Sequence, residues 1–584
     1  MPEPMSPSSS RLLLVALLTL TMAAACTAPA GASPASTSMS TSAPAATTPP
    51  PATPSTATPL VGPPVFAAVP ADKRLLLLVT ASVQGYVEPC GCTGDPLGGI
   101  ARLGGIVADA RRVYGERVVF VDGGDLLFEK PDDTAAVDLC QAQARTELLV
   151  STYARLGVAA TVRGPLDDVR GEAFRAALLD KHKVASVGGR RVQRLVRDGI
   201  AVLIVGLDVA DDAAKLDGIV AAEVANQPAD VVVVLAQRDT KATRALAATL
   251  KGVDVVVVGR AGEAPAPPEK LGEVVVVNPG WQAQHVGVVE LVLEGRSGRE
   301  PLPLDDRAAV ADGRKKLLDV RVAELDKLLA ALEAGDTKTF QQGRRDRFAK
   351  ERDDLAAQLA TPSTPLPGPH IAVRALPLKR GLTEEPTAFA ALKTYEAAIP
   401  SLVSSCEAGV VCAEPAADVP RYVGAATCQA CHAAAWDFWN RALVDVSITK
   451  PDGTKTTHPS GHVKAWETLV HAGRDKDRSC VGCHSAGFDV EGGACTTTKL
   501  VELELTAVQC ESCHGAGSAH VNGGGDKTKI ARDVPEARCR ECHLPPHIES
   551  AASFVYDERL LHILGDGHGA ARRARLAPTS KKGP

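Results

Sequence analysis

Four copies of Cys-x-x-Cys-His lie between residues 428 and 543: Cys428-Gln-Ala-Cys431-His432, Cys480-Val-Gly-Cys483-His484, Cys510-Glu-Ser-Cys513-His514 and Cys539-Arg-Glu-Cys542-His543. This spacing is that of a c-type haem attachment site. Two thiols on one local turn match two vinyl groups on one porphyrin edge, and the adjacent histidine reaches the iron as proximal ligand. Zinc ribbons also use cysteine pairs, but zinc binding does not require a histidine straight after each pair. The four motifs predict four haem c groups. Cys428, Cys431, Cys480, Cys483, Cys510, Cys513, Cys539 and Cys542 are the expected thioether residues, and His432, His484, His514 and His543 the expected proximal ligands.

At 584 residues the chain is long enough for two or three domains. Aromatic residues make up only 3% of it, so porphyrins would supply part of the apolar bulk around the motifs. A net charge of −5 points to neither nucleic acid nor a strongly charged partner. Fifteen cysteines suit an exported protein. The N-terminus agrees with export: Arg11 precedes the apolar run Leu12 to Leu20, and Ala23, Ala24 and Ala25 lead to Cys26. A basic residue, a short apolar core and small residues describe a secretory signal, and the run is short for a membrane span. Small residues ending in cysteine resemble the lipobox of bacterial lipoproteins, which implies lipidation of Cys26; an ordinary signal cut near Ala25 is the alternative. The expected location is the bacterial cell envelope, on the periplasmic side or at the outer membrane, held by acyl chains. Residues 27 to about 70 are rich in Ala, Pro, Ser and Thr and read as a tether.

From Lys73 strand-like apolar runs recur at Leu75–Thr80, Val118–Val121, Ala201–Leu207, Val231–Leu235, Val253–Val258 and Val274–Val277. Helical stretches lie between them, among them Ile100–Tyr114, Arg145–Leu156 and Thr240–Leu250. Buried strands alternating with helices predict an α/β layered domain with both sheet faces covered. The segments Leu78 to Pro89, Gly98 to Gly104, Val121-Asp-Gly-Gly-Asp125 and Asn278 to Gly287 resemble the calcineurin-like metallophosphoesterases of the 5′-nucleotidase type over roughly residues 72–295. Active members hold two metals that activate water. Here Ser82-Val83-Gln84 stands for Asp-x-His, Gly164-Pro165-Leu166 for Gly-Asn-His, and Ala236-Gln237-Arg238 and Gly259-Arg260-Ala261-Gly262 for the later histidine motifs. Only Asp125 of Gly124-Asp125 survives. The resemblance therefore implies the scaffold with phosphoesterase activity lost, and Asp125 reads as a structural residue at a strand end.

Cys90, Cys92 and Cys140 fall in this domain, and a disulfide from Cys140 to Cys90 or Cys92 is the favoured expectation, with metal or redox work as the alternative. Leu317, Leu318, Val322, Leu325, Leu328, Leu329 and Leu332 recur at helical spacing and predict a helical hairpin with the stretch Phe340–Leu359. A strand (Ile371–Pro377) and a helix (Thr387–Ala398) follow and are expected to dock on the α/β domain. Cys406 and Cys412 then bracket a loop, where a local disulfide is expected. The expected organisation is thus a signal peptide over 1–25, a lipidated cysteine and tether over 26–71, the degenerate α/β domain over 72–298, the hairpin over 299–365, an extension and linker over 366–420, and a mostly helical and loop haem domain over 421–584.

Arg421 to Cys428, His462 to Leu469, Cys480 to Phe488, Cys510 to His520 and Tyr556 to His562 resemble, in order, the tetrahaem cytochrome family whose best-known member accepts electrons from hydroxylamine oxidoreductase. The resemblance implies second axial histidines at His462 and His520, with His562 inferred as a further one. His458 substitutes for His462 if an insertion at Val444 to His458 shifts the ligand, and His568 and His547 compete with His562. His471 reads as surface. With three distal histidines, one haem keeps an open or weakly held site. The leading reading is an exported electron-transfer lipoprotein that passes electrons between redox partner proteins. The alternatives are a haem enzyme acting on a small nitrogen or sulfur oxide at an open iron, a metal-dependent phosphatase or nucleotidase, and a purely structural use of the haems. Neither donor, acceptor nor oligomeric state is legible.

Overall fold

The computed structural model describes residues 58–67, 73–90, 96–129, 136–262, 264–332, 334–360, 366–441, 444–449, 455–543, 554–565 and 567–576. The Arg11 to Cys26 signal and lipobox, the tether up to residue 57, Cys92 and His547 lie outside them.

Two sheets lie face to face. The strand Arg74–Thr80 is buried at every position, because one face meets helices and the other meets a second sheet. Successive side chains alternate between faces, so Leu76 and Leu78 pack under the helices while Leu75, Leu77 and Val79 enter the space between the sheets. That inner layer is completed by Val231, Val233 and Leu235 and by Val255 and Val257 of the second sheet. Val232, Val234, Val256 and Val258 point the other way, onto the helices Leu216–Asn226 and Thr240–Ala247. The result is a helix–sheet–sheet–helix domain.

The first sheet runs Leu304–Asp305, His370–Pro377, His285–Val292, Arg74–Thr80, Val118–Asp122, Val158–Val162, Ser186–Val187. The second runs Ala266–Leu271, Val274–Asn278, Val255–Arg260, Val231–Asp239, Ile200–Leu207, Val192–Arg197. Each expected strand is present. Six of these strands had no clear signal, and two of the six, Ser186–Val187 and Leu304–Asp305, are only two residues long. Ala266–Leu271 carries two prolines and Val192–Arg197 mixes charge with apolar residues, as edge strands do. Val158–Val162 is short, and His285–Val292 hides in a run broken by Gly287.

Residues 366–420 are more than a linker. His370–Pro377 pairs antiparallel with His285–Val292 over eight residue pairs, inside the first sheet. The helix after it runs Pro386–Glu407, beyond the Thr387–Ala398 stretch legible in the sequence. It buries Leu392, Tyr395, Ile399 and Val403 in the same core as the helices Ile100–Tyr114 and Ala136–Arg155. The hairpin forms as Arg307–Ala331 and Asp336–Ala360, with Leu318, Val322, Leu325 and Leu329 buried and Leu317 and Leu328 exposed. Among the described residues no helix is long and apolar enough to cross a membrane.

Both disulfide expectations need correction. Cys140 bonds to Cys406, and Cys412 bonds to Cys495. The helices Ala136–Arg155 and Pro386–Glu407 lie side by side, which brings the Cα atoms of Cys140 and Cys406 to 6.2 Å, within ordinary disulfide reach. Cys406 is thereby used on the helix, and Cys412, beyond the helix end, reaches the haem segment instead of closing a local loop.

His285, at the head of its strand, is mostly buried with Nδ1 unpartnered. Burial, and secondarily Lys316, push its pKa from 6.5 down to about 4. A base with a depressed folded pKa gives stability that is complete above its unfolded value and is lost as pH falls from 6.5 through about 4. Lowering the pH from 7 to 5 is expected to remove about 2 kcal/mol of α/β-domain stability. His285→Gln should flatten that loss, as read by urea unfolding at the two pH values.

Candidate functional site

Each CxxCH motif occupies a single turn of helix. In the first, the N–H groups of Cys431 and His432 both donate to the carbonyl of Cys428, at 3.2 and 2.9 Å. In the fourth, Cys542 and His543 donate to Cys539 at the same distances. The second motif begins inside the short helix Arg478–Val481, capped by Asp477, and ends in the turn Gly482–His484, and the third is itself the helix Cys510–His514. The turn places two sulfurs together and the histidine just past them. None of the eight motif cysteines joins a disulfide, so all have the thiols that haem attachment consumes.

The histidines draw together in pairs. His432 and His520 have ring centroids 6.3 Å apart, His462 and His543 5.8 Å, and His514 and His568 6.0 Å. A metal bound at about 2 Å by one nitrogen of each of two imidazoles holds the ring centroids about 6 Å apart. Every pair joins one motif histidine to one histidine from elsewhere. His462 and His520, expected as distal ligands, each stand in one of these pairs. His562 sits exposed on the helix Tyr556–Ile563, and it is His568, on the following turn, that faces His514. The side chain of His458, on the hairpin of Val444–Thr449 and Lys455–Ser460, is outside the described residues.

Backbone carbonyls fix which ring nitrogen is available. Nδ1 of His484, His514, His520 and His568 lies against the carbonyls of Ala465, Ala531, Asp526 and Ile563, at 2.7, 2.5, 2.9 and 2.6 Å. A carbonyl only accepts, so Nδ1 carries the hydrogen and Nε2 keeps the lone pair that iron needs. His462 is held neutral by its surroundings: burial, then the adjacent His543, lower its pKa to about 4. The residues present thus fit haem on both sides of the iron. His484 differs. It has the Nδ1 contact, but among the described residues no second histidine ring faces it.

The segment around the second motif is tied to the α/β domain by buried polar groups that no local sequence signal marks. Arg478, two residues before Cys480, donates to Glu407 (2.9 Å), to Asp489 (2.5 Å) and to the carbonyl of Cys495 (3.1 Å), and lies over the Phe488 ring. Glu407 also accepts from the backbone and hydroxyl of Thr497, both at 2.8 Å. Gln141 of the α/β domain donates to Asp477 and accepts from the Arg478 N–H. Arg474 pairs with Glu88 at 2.7 Å and with Asp477 at 2.5 Å. Burial would raise Asp477, but Arg474, Ser479 and Gln141 outweigh it and hold the carboxyl below its ordinary value. At the third motif, the buried Glu511 carboxylate accepts N–H groups from Val423, Gly424 and Gly517, which fastens the start of the segment.

At the phosphoesterase-like end of the α/β domain, the substituted residues serve the backbone. Ser82 Oγ donates to the Gly259 carbonyl, Gln237 Nε2 to the Gly123 carbonyl, and Asp125 accepts from the Leu166 N–H at 2.8 Å. Among the described residues no cluster of three His, Cys, Asp or Glu side chains is placed to hold a metal ion.

Residues 427–515 match the family model described as cytochrome c554 and c-prime. This segment is a multihaem c-type cytochrome. It is 27% identical over 184 residues to cytochrome c-554 of Nitrosomonas europaea, covering 25% of this chain and 75% of that one. The likeness supports covalently bound haem c in this segment. The chain is also similar to a 5′-nucleotidase precursor from Thermus thermophilus, at 18% identity and a TM-score of 0.36 over 68% of this chain and 74% of that one. It is similar to the sulfate thiohydrolase SoxB of Thermus thermophilus (16%, TM-score 0.33, 39% and 55%) and to the calcineurin-like phosphoesterase YfkN of Bacillus subtilis (17%, 0.31, 38% and 86%). The chain spans little more than half the length of the SoxB structure.

Replacing Arg478 with Met leaves the buried Glu407 without its cation. Breaking such a pair from one side costs about 3–5 kcal/mol. The urea midpoint of the cytochrome segment, followed in the Soret band, is expected to fall accordingly, and Glu407→Gln to fall less because the amide still accepts.

Proposed function

We propose that this protein is an exported electron-transfer lipoprotein with four haem c groups, three doubly ligated by histidine and one held by His484 alone. The observation that carries this reading is the set of three histidine pairs 5.8–6.3 Å apart, each made of one motif histidine and one remote histidine. The proposed axial pairs are His432 with His520, His543 with His462, and His514 with His568. Haem iron with two imidazole ligands exchanges single electrons with redox partners without changing its ligands. The chain's own part is to hold each imidazole in one tautomer by the Nδ1 contacts and to space the four motifs in one packed segment. The α/β domain acts as the rigid body on which the second motif is mounted, and we assign it no hydrolytic role, because Ser82, Gln84, Leu166 and Gln237 stand where metal ligands are expected.

A second reading attaches to the same site. His484 faces no second histidine among the described residues, and an iron with one protein ligand can bind a small nitrogen or sulfur oxide. Electron transfer remains the primary reading, since the pairs require no additional acid–base residue.

The purified full-length protein is expected to give four haems per chain by pyridine haemochrome. Its electron paramagnetic resonance spectrum should show three low-spin haems and one high-spin haem. His520→Ala or His568→Ala should each convert one low-spin haem, whereas His562→Ala should convert none. Four low-spin haems would overturn the assignment at His484.

Lipid attachment at Cys26 would hold the chain on the membrane through its acyl groups. Cys26→Ser is expected to move the protein from the membrane fraction to the soluble envelope fraction with its haem content unchanged, as measured by fractionation and haem staining.

A further inference from the structure

Trp439 lies on the helix Ala433–Arg441, directly after the first motif, yet it touches neither His432 nor His520 in any ring contact among the described residues. Its indole lies near-parallel to His462 and offset from it, centroids 5.5 Å apart and planes within 15°. The same indole meets His568 edge-on, at 6.2 Å and 72°. In the proposed function these two histidines are the distal ligands of different irons, those of the fourth and third motifs. One side chain therefore contacts the outer ligands of two haems while belonging to the helix of another.

The approach is built into the chain. The turn that carries His568 closes through reciprocal hydrogen bonds between Gly565 and His568, at 2.8 and 2.9 Å. A Cβ at Gly565 would fall 2.0 Å from the Phe438 ring, and one at Gly567 2.6 Å from the Ala434 Cβ. Only glycine at both places lets this turn seat against the Trp439 helix. Phe438 adds a second contact to His568, at 6.4 Å, and none to His462 among the described residues. A stacked indole resists rotation of the imidazole about its bond to a metal, and an edge contact limits tilt, so the orientation of each ligand depends on where the indole sits.

We propose that Trp439 is a shared positioning residue for the haems of Cys510–His514 and Cys539–His543, coupling the orientation of His568 to that of His462. The proposal rests on the axial pairs proposed above. Ligand orientation is one of the protein's levers on a haem's spectrum and potential, so a change at the indole is felt at two irons together.

The test uses the full-length haem-loaded protein, read by low-temperature electron paramagnetic resonance and by a spectroscopic redox titration. Trp439→Leu is expected to shift the low-spin signals and midpoints of two haems together and to leave the His432–His520 haem and the His484 haem in place. Trp439→Phe keeps a ring and should shift the same two by less, and it carries the test if the leucine variant fails to load haem. Phe438→Leu should shift one haem alone. A shift confined to one haem in both Trp439 variants, or no shift, overturns the proposal. His462→Ala and His568→Ala distinguish the two levels. If each removes a different low-spin signal while the Trp439 variants move nothing, only the coupling falls. If neither does, the axial pairs fall and the coupling falls with them.

Discussion

A buried arginine asks for more partners than one carboxylate supplies, and Arg478 is the point at which this chain answers that demand. It is buried beside Cys480, and its guanidinium is met by Glu407, Asp489 and the Cys495 carbonyl, with the Phe488 ring on its face. Those partners come from different parts of the chain. Glu407 closes the helix Pro386–Glu407, whose opposite end is packed in the α/β core. Cys495 is bonded to Cys412, just past that helix, and Cys406 on its last turn is bonded to Cys140. A covalent path and an electrostatic one therefore run side by side from the first sheet to the second haem motif. An isolated ion pair at such a place would cost desolvation with little return; a network that satisfies each remaining donor and acceptor offsets it and imposes one geometry.

That fastening matters because the cytochrome segment has little core of its own. The α/β domain buries three large apolar clusters, whereas the segment's cluster among the described residues consists of Leu469, Val481, Phe488, Ala494, Leu500 and Leu505 with a few flanking side chains. Several of its helices are five residues long, too short to persist through their own hydrogen bonds. Their positions are set from outside by buried polar groups, such as Glu511 gathering three backbone N–H groups. The low aromatic content of the whole chain is consistent with this division, and three of the segment's aromatics, Phe438, Trp439 and Phe554, stand against its histidines.

In the α/β domain, polar side chains at the strand ends are taken up by the backbone around them. Ser82, Asp125 and Gln237 occupy the strand ends that face one another, and each is engaged with a backbone group. Three backbone conformations there, at Ser82, Gln84 and Asp125, lie at positive φ, which non-glycine residues adopt only where the surroundings hold them. Hydrogen bonds to neighbouring backbone groups hold these loops in that shape.

By itself the sequence determined the elements whose signal is local. Apolar runs covered on both faces marked the central strands, helical spacing marked Ile100–Tyr114 and the hairpin, and the Cys-x-x-Cys-His spacing marked the single turns that bring two thiols and a histidine together. What only the tertiary structure decided depends on residues far apart in sequence. Cys140 is 266 residues from Cys406, and Gln141 is 336 from Asp477, so no spacing rule could have paired them. The approach of His568 to His514 was equally out of reach: it depends on the packing of a glycine turn against Phe438, which no local spacing records. Edge strands escaped notice for a related reason, since half-exposed positions tolerate proline and charge and so lose the pattern that marks a buried strand. Local geometry is written in adjacent residues, whereas a second ligand, a disulfide partner or a counter-ion is chosen by whatever the folded chain brings within a few ångströms.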